Sequence, residues 1–218
     1  RRICTSLFLA LPLYAQAPRQ TQADDYTRYE LLAPGTGKFR ILDEVTATTG
    51  GATEFFNPIR RGSVASDERV TDVASGKPLA FDEVGGHVAL AGGVRNADTS
   101  GLYIRVKLAR PVPKLGEARI LIDKTYFDTL SYSAAGDSIV FDRSLGIKRN
   151  AIVLPAGYEL VTSNFPSQVL QEADGRLKVS FWNSGSGPAP VRIVARRSAA
   201  MRAFASSLPP DLRRRLDE

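Results

Sequence analysis

The sequence predicts an all-β protein, an antiparallel β-sandwich with a short C-terminal helix. Three observations lead to this fold class. Short apolar runs alternate with polar residues at a period of two, 18 glycines and 13 prolines separate the runs, and no helical period is sustained before residue 196. About a dozen strand candidates at this spacing are typical of a sandwich built from two packed antiparallel sheets.

The first segment, 1–17, has the layout of a secretory signal peptide. Arg1 and Arg2 precede an apolar stretch from Ile3 to Tyr14, and Ala15-Gln16-Ala17 supplies small residues for cleavage after Ala15 or Ala17. The stretch is shorter than the roughly 20 apolar residues of a membrane-spanning helix. We therefore expect a secreted or periplasmic protein with no membrane span. A buried N-terminal helix is the alternative interpretation.

Residues 18–25 are polar and are predicted to be a flexible lead-in to a β-sandwich domain over 26–197. The domain opens with two strands around the string GTGK. In "KFRILDEV" the residues Phe39, Ile41 and Val45 alternate with polar neighbours, which predicts one buried face. A phosphate-binding loop would need a hydroxyl after the lysine and a helix to follow, but Phe39 and a strand pattern stand there. GTGK is therefore interpreted as a hairpin turn.

The strand pattern continues along the chain. "ERVTDV" and "KPLAFDEV" flank Ala74-Ser75-Gly76 as a second hairpin, and "HVALAGG" is assigned to a short strand. Alternating apolar residues also mark "GLYIRVKLARP" and "EARILIDKTYF". Six further strands follow, in "DSIVFDR", "NAIVLP", "YELVTSN", "SQVLQE", "RLKVSFWN" and "VRIVARR", and Ala173-Asp174-Gly175 forms a tight hairpin between the fourth and the fifth of these.

The last segment, 198–218, is predicted to be a helical basic tail. An amphipathic pattern runs from Ser198 and ends before Pro209-Pro210. Three consecutive arginines follow, and a solvated tail is the common fate of such a run.

The charge distribution argues against nucleic acid as a partner. The net charge is +6, but the two ends carry all of it, because residues 21–195 contain 20 basic and 20 acidic side chains. Nucleic-acid binding needs a positive excess on the folded face.

The residue inventory contains no catalytic set. Cys4 is the only cysteine and His87 the only histidine, so neither an intrachain disulfide nor a multi-histidine zinc site can form. No G-x-S-x-G motif is present, and adjacent acids such as Asp43 and Glu44 should point to opposite faces of a strand. We therefore predict no catalytic residues, no metal site and no cofactor. An all-carboxylate calcium site stays open, although no D-x-[DN]-x-[DN]-G loop is present, and the sequence leaves the ligand-binding residues unknown.

Two segments stand out from the strand series. "FFNPIRRGS", 55–63, is predicted to be a loop, and 142–160 carries a basic turn between apolar strands. Either segment could serve as a recognition loop. The alternative for the first is a plug, in which Phe55, Phe56 and Ile59 close the end of the sandwich while Arg60 and Arg61 stay in water.

Two passages resemble a known family. "NAIVLPAGYELVTSNFPSQVLQEADGRLKVSF" and "YELLAPGTGKFRILDEVTAT" are similar to the non-catalytic N-terminal β-sandwich domain of M1-type metallopeptidases and related secreted bacterial proteins. The H-E-x-x-H zinc motif of those peptidases is absent. The resemblance implies a β-sandwich without the zinc and without the catalysis, and no functional residue is carried over.

The sequence thus favours a secreted, non-catalytic β-sandwich module that binds a protein or a glycan in the cell envelope. Two alternatives remain open. One is a hydrolase whose site is assembled from separated residues, and the other is a structural domain of an envelope assembly that pairs through an exposed sheet edge.

Overall fold

The computed structural model describes residues 17–212, without the side chains of residues 24 and 25. Most of the predicted signal peptide, Cys4 and the three consecutive arginines of the tail lie outside the described residues. The strands are β1 (Gln22–Leu31), β2 (Lys38–Ala47), β3 (Glu54–Ile59), β4 (Val64–Asp72), β5 (Phe81–Gly85), β6 (Leu102–Lys107), β7 (Ala118–Phe127), β8 (Tyr132–Ala135), β9 (Ser138–Leu145), β10 (Arg149–Val153), β11 (Tyr158–Ser163), β12 (Gln168–Gln171), β13 (Leu177–Trp182) and β14 (Ala189–Arg197). The helices are α1 (Gly86–Ala91) and α2 (Ala199–Ser207).

The strands form three sheets. A seven-stranded sheet has the order β12-β13-β10-β1-β2-β7-β4, a four-stranded sheet has the order β11-β14-β9-β8, and a three-stranded sheet has the order β3-β6-β5. The all-β class with a short C-terminal helix is confirmed. The prediction of two purely antiparallel sheets is wrong in detail, because there are three sheets and β1 pairs with β10 in parallel. Parallel neighbours are joined by long connections, which a local pattern cannot reveal.

Both smaller sheets pack on the same face of the large sheet. Alternation along β2 shows the arrangement: Phe39 and Ile41 enter a core shared with the four-stranded sheet, while Val45 and Ala47 enter a second core shared with the three-stranded sheet. The first core holds a group of aromatic rings, with Phe39 and Phe141 edge to face at 5.6 Å between centroids. The two cores meet along a seam that crosses the middle of β2.

The other face of the large sheet carries a network of ion pairs. Arg28 forms two hydrogen bonds of 2.6 Å to the carboxylate of Glu172 and one of 2.7 Å to Glu30. Arg40 pairs with Asp123 through two bonds of 2.7 Å. Arg40 and Asp123 join the neighbouring strands β2 and β7, whereas Glu172 follows β12 and meets Arg28 across the intervening strands β13 and β10. The charges of these residues are therefore satisfied by partners on the same face.

The C-terminal helix was predicted from the sequence, whereas the helix in the middle of the chain was not. Helix α2 begins after Ser198, whose Oγ accepts a hydrogen bond of 3.1 Å from Met201 N, as its predicted start requires. The prediction of a strand for "HVALAGG" is wrong, because α1 occupies that segment. Small residues explain the helix: Ala89 is fully buried, and a Cβ on Gly92 would overlap the Phe56 ring. Neither helix in the described part of the chain is long and apolar enough to cross a bilayer.

Three other segments differ from the expectations. Residues 54–59 form β3 instead of a loop, although Phe55 and Phe56 are buried as expected. The turn at 74–76 exists, but the strand after it joins β6 in another sheet, and only Thr71 and Pro78 form a bridge across the turn. Strand β1 begins at Gln22, inside the predicted lead-in, and β8 was not predicted.

The GTGK string is a hairpin turn, as predicted. Leu31 pairs with Phe39 across it, and both glycines have positive φ, 81° at Gly35 and 65° at Gly37. These angles favour glycine because a side chain would collide with its own backbone.

Replacing the two glycines of this turn tests that reading. We expect Gly35→Ala to lower the free energy of unfolding by about 1–2 kcal/mol through its positive φ alone. Gly37→Ala should cost more, because its Cβ would lie 2.8 Å from Thr129 Cγ2. Gly146→Ala, where a Cβ meets open space and φ is not positive, is the matched control. Equal stability of all three variants in urea denaturation would contradict the assignment.

Candidate functional site

A cleft of about 410 Å³ opens where the two smaller sheets meet over the large one. It lies on the seam between the two cores. On β2 the inward residue at the seam is Asp43, between Ile41 and Val45. On β7 it is Lys124, between Ile122 and Tyr126. The alternation that buries apolar side chains elsewhere therefore directs one acid and one base into this cleft.

Asp43 and Lys124 are joined through an asparagine of another sheet. Asp43 accepts hydrogen bonds from Thr27 Oγ1 at 2.8 Å and from Asn57 Nδ2 at 2.9 Å. Lys124 Nζ donates to Asn57 Oδ1 at 2.6 Å. Asp43 is 7% exposed and Lys124 4% exposed, so both charges depend on these partners. The Asn57 side chain, from β3, thus links the three-stranded sheet to the large sheet.

A second buried pair lies on the side of the four-stranded sheet. Arg143 Nη1 donates to Asp128 Oδ2 at 2.9 Å and to Ser131 Oγ at 3.0 Å. Asp128 also accepts from the hydroxyls of Ser131 and Ser63 at 2.7 and 3.0 Å. The Arg143 guanidinium carbon lies 5.3 Å from the Phe39 ring centroid. Arg143 is 6% exposed, so its plane is held between aromatic packing and the carboxylate.

Burial shifts the pKa of each member of this pair towards its neutral form, and the surrounding partners oppose that shift. Burial lowers the pKa of Arg143, and the nearby charges of Tyr29, Tyr126 and Asp128 compensate only in part. Burial is also the largest effect on Asp128 and would raise its pKa, but the hydrogen bonds from Ser131 and Ser63 and the charge of Arg143 together hold that pKa below its usual value of 3.8. The pair is therefore ionised at neutral pH.

Aromatic side chains form the walls of the cleft. Tyr29, Tyr103 and Tyr126 line it together with Phe56. The Tyr126 hydroxyl accepts a hydrogen bond of 3.2 Å from the backbone N–H of Arg60. Burial raises the pKa of Tyr29, so this phenol stays protonated at neutral pH. The cleft thus combines flat apolar rings with the hydrogen-bond donors of Lys124 and Arg143.

The described residues do not assemble a hydrolytic or metal centre at this cleft. His87 is exposed on α1 and does not line it. Among residues 17–212, no three His, Cys, Asp or Glu side chains are grouped so that they could hold a metal ion. Asp43 points into the cleft and Glu44 away from it, so the prediction of opposite faces for this adjacent pair is confirmed. What the arrangement offers chemically is binding through cationic donors and aromatic rings.

Both segments singled out in the sequence reach the cleft. The segment 55–63 contributes Asn57 and Arg60, and 142–160 contributes Arg143 and Ile147. Sequence reasoning named Asp43 only as a member of an adjacent acidic pair and missed Lys124, although one signal was available. Each is a charged residue at an inward position of an otherwise apolar alternation, which marks a buried charge that needs a partner.

Comparison with known proteins gives a likeness of fold alone. No protein-family profile and no curated protein matches the sequence. Among solved structures, the M1 zinc metallopeptidase from Deinococcus radiodurans has a TM-score of 0.51 and 9% identity, over 82% of this chain and 42% of that chain. A mutant of that enzyme has a TM-score of 0.48 at 10% identity, and a two-domain mutant bound to L-tryptophan has 0.47 at 10%, both over 79% of this chain and 41% of theirs.

The resemblance inferred from the two passages is thereby confirmed at the level of fold. This chain spans less than half the length of the peptidase chains that it matches. At 9% identity the likeness says nothing of activity, substrate or metal.

The Arg143–Asp128 pair should make the free energy of unfolding depend on pH in the acidic range. Asp128→Asn should lower the free energy of unfolding at pH 7 by about 3–5 kcal/mol, because Arg143 is left buried without its carboxylate. Because the folded-state pKa of Asp128 is lowered, the contribution of the ionised carboxylate is complete above pH 3.8 and is lost as the pH falls through the folded-state value. The difference between variant and wild type should therefore shrink in acid.

Urea denaturation of both proteins between pH 7 and pH 3 measures this effect. Asp142→Asn is the matched control, because its ion pair with Arg192 is about half exposed, and we expect a change of no more than about 1 kcal/mol. A difference for Asp128→Asn that stays constant with pH would contradict the assignment.

Proposed function

We propose that this chain is a non-catalytic β-sandwich module that binds a glycan of the cell envelope in the cleft between its two smaller sheets. The observation that carries the proposal is the chemistry of the cleft. Tyr29, Tyr103 and Tyr126 line it beside the polar groups of Asn57 and Lys124. A sugar presents apolar C–H faces that pack on aromatic rings and hydroxyls that need fixed hydrogen-bond partners.

A folded protein is the other candidate partner, and the cleft favours it less. A standard protein–protein interface covers about 800 Å² on each partner, whereas this site is a recess between two sheets. The broad outer face of the large sheet already satisfies its charges internally, through pairs such as Arg40 with Asp123. Capture of a protein from envelope extract by wild type and cleft variants alike would favour this second candidate.

Blocking the cleft tests the glycan proposal. On an array of envelope and extracellular glycans, wild type should bind a restricted set of structures. Ile147 lines the cleft and is half-buried, so Ile147→Trp should place an indole in the cleft and weaken that binding at least about tenfold, which corresponds to about 1.4 kcal/mol. Leu130→Trp is the matched control, because the Leu130 side chain is 91% exposed and does not line the cleft. Equal binding by both variants would place the site elsewhere, and no binding by wild type would remove the proposal.

We further propose that the chain works in the periplasm or outside the cell. The support is the order of two arginines, an apolar stretch and small residues over 1–17. When residues 1–218 are expressed behind an initiating Met in a Gram-negative host, the mature protein should be recovered from the periplasm, with a new N-terminus after Ala15 or Ala17. A version lacking residues 1–17 should stay in the cytosol. Retention of both versions in the cytosol with intact N-termini would rule out the export signal.

A further inference from the structure

One side of the Arg143 guanidinium has no hydrogen-bond partner among the described residues. Its Nη1 is engaged by Asp128 and Ser131. Within residues 17–212, Nε and Nη2 of Arg143 donate to no acceptor. In the described chain, only Asn150 Oδ1 is a side-chain polar atom that is both fully buried and without a partner. Nε and Nη2 of Arg143 have no partner either, so they are not fully buried. Arg143 lines the cleft, and this edge is the part of its guanidinium that has no partner within the described residues.

In two other arginines of this molecule, the Nε–Nη2 edge binds a carboxylate. Arg40 Nε and Nη2 donate to the two carboxylate oxygens of Asp123, both at 2.7 Å. Arg105 Nε and Nη2 hold Asp82 in the same way, at 2.9 and 2.5 Å. The Nε–Nη2 edge is a planar fork whose spacing fits the two oxygens of a carboxylate. In Arg143 the contacts of Nη1 and the Phe39 ring hold the guanidinium in place, but no carboxylate of the described residues binds its Nε–Nη2 edge.

The charges around the fork favour an anion. Lys124 and Arg143 lie against the same Tyr126 ring, at 5.2 and 5.4 Å from its centroid. The cleft is lined by these two cations and Arg60, against the single carboxylate of Asp43. Both Asp43 oxygens already accept hydrogen bonds within the protein, as described above. Burial disfavours the charged form of Arg143 and so lowers its pKa, and a carboxylate bound beside the guanidinium would stabilise that charge.

We infer that the cleft recognises an acidic sugar, and that the carboxylate of that sugar is bound by the Nε–Nη2 edge of Arg143 with Lys124 as the second cation. The inference rests on the proposed glycan-binding function and names its ligand class. The ring of a uronic acid would then lie along the tyrosine walls, and its hydroxyls would meet the polar groups near Asn57.

Titration with D-glucuronate and with D-glucose tests this inference, because the two differ only by the carboxylate. We expect glucuronate to bind at least about tenfold more tightly, which is the size of one charge-assisted bidentate contact in a partly solvated site. The preference should fall at high salt. In ¹⁵N-labelled wild-type protein, the Nε–H resonance of Arg143 should shift during the glucuronate titration and stay in place with glucose.

Variants provide the second line of evidence. Lys124→Met should weaken glucuronate binding about tenfold more than it weakens glucose binding, because only glucuronate brings a carboxylate to this cation, provided that circular dichroism shows a folded protein. Lys38→Met is the matched control, since Lys38 is exposed on the opposite face of the large sheet. The wild-type resonance experiment stands by itself if Lys124→Met does not fold.

The outcomes separate this inference from the function on which it rests. Equal affinity for glucose and glucuronate, or glucuronate binding without a shift of the Arg143 resonance, overturns the inference. If a neutral glycan binds and is blocked by Ile147→Trp, the proposed function then stands without it. Tighter binding of a short peptide with a free C-terminal carboxylate than of glucuronate would overturn the sugar as the ligand. No saccharide binding of any kind removes both proposals.

Discussion

The structure depends on one constraint, the sharing of a single sheet face by two smaller sheets. Strand β2 is long enough to run beneath both, so its inward side chains enter one core near Phe39 and another near Val45. Two sheets cannot cover the seam between them as closely as one continuous sheet would. At that position the chain carries Asp43 and Lys124, and both are satisfied by Asn57 from the three-stranded sheet. A buried polar network of this kind fixes how the sheets are placed relative to each other, because misplacement would leave charges without partners.

The same seam accounts for the position of the cleft. A cavity between packed sheets normally costs stability, since its lining loses dispersion contacts. Here the lining is partly polar and can stay hydrated, so the cost is smaller than in an apolar void. The rigid sheets on either side hold Arg143 and Lys124 in place before any ligand arrives. Preorganisation of this kind reduces the entropy that is lost on binding.

The sequence was informative where local rules decide the structure and silent where distant segments meet. The period-two alternation around Phe39 and the glycines of the first turn were sufficient to predict the opening hairpin. The segment 87–93 was misassigned because its small residues suit a helix packed against Phe56, a contact that lies far away in the sequence. The parallel pairing of β1 with β10 has no local signature. The cleft was partly visible, since 55–63 and 142–160 were singled out, but the pairing of Asp43, Asn57 and Lys124 needed the fold.

The edges of the large sheet have a consequence for how this protein can associate. Edge strand β4 shifts register between Ser66 and Arg69, where Asp67 has a φ of 56°, and the opposite edge, β12, has only four residues. An interrupted edge and a short one both offer an incoming chain few consecutive hydrogen-bonding groups. The sheet is therefore a poor template for fibril growth at high local concentration. At these two edges, pairing with a strand of another domain would gain only a short run of hydrogen bonds.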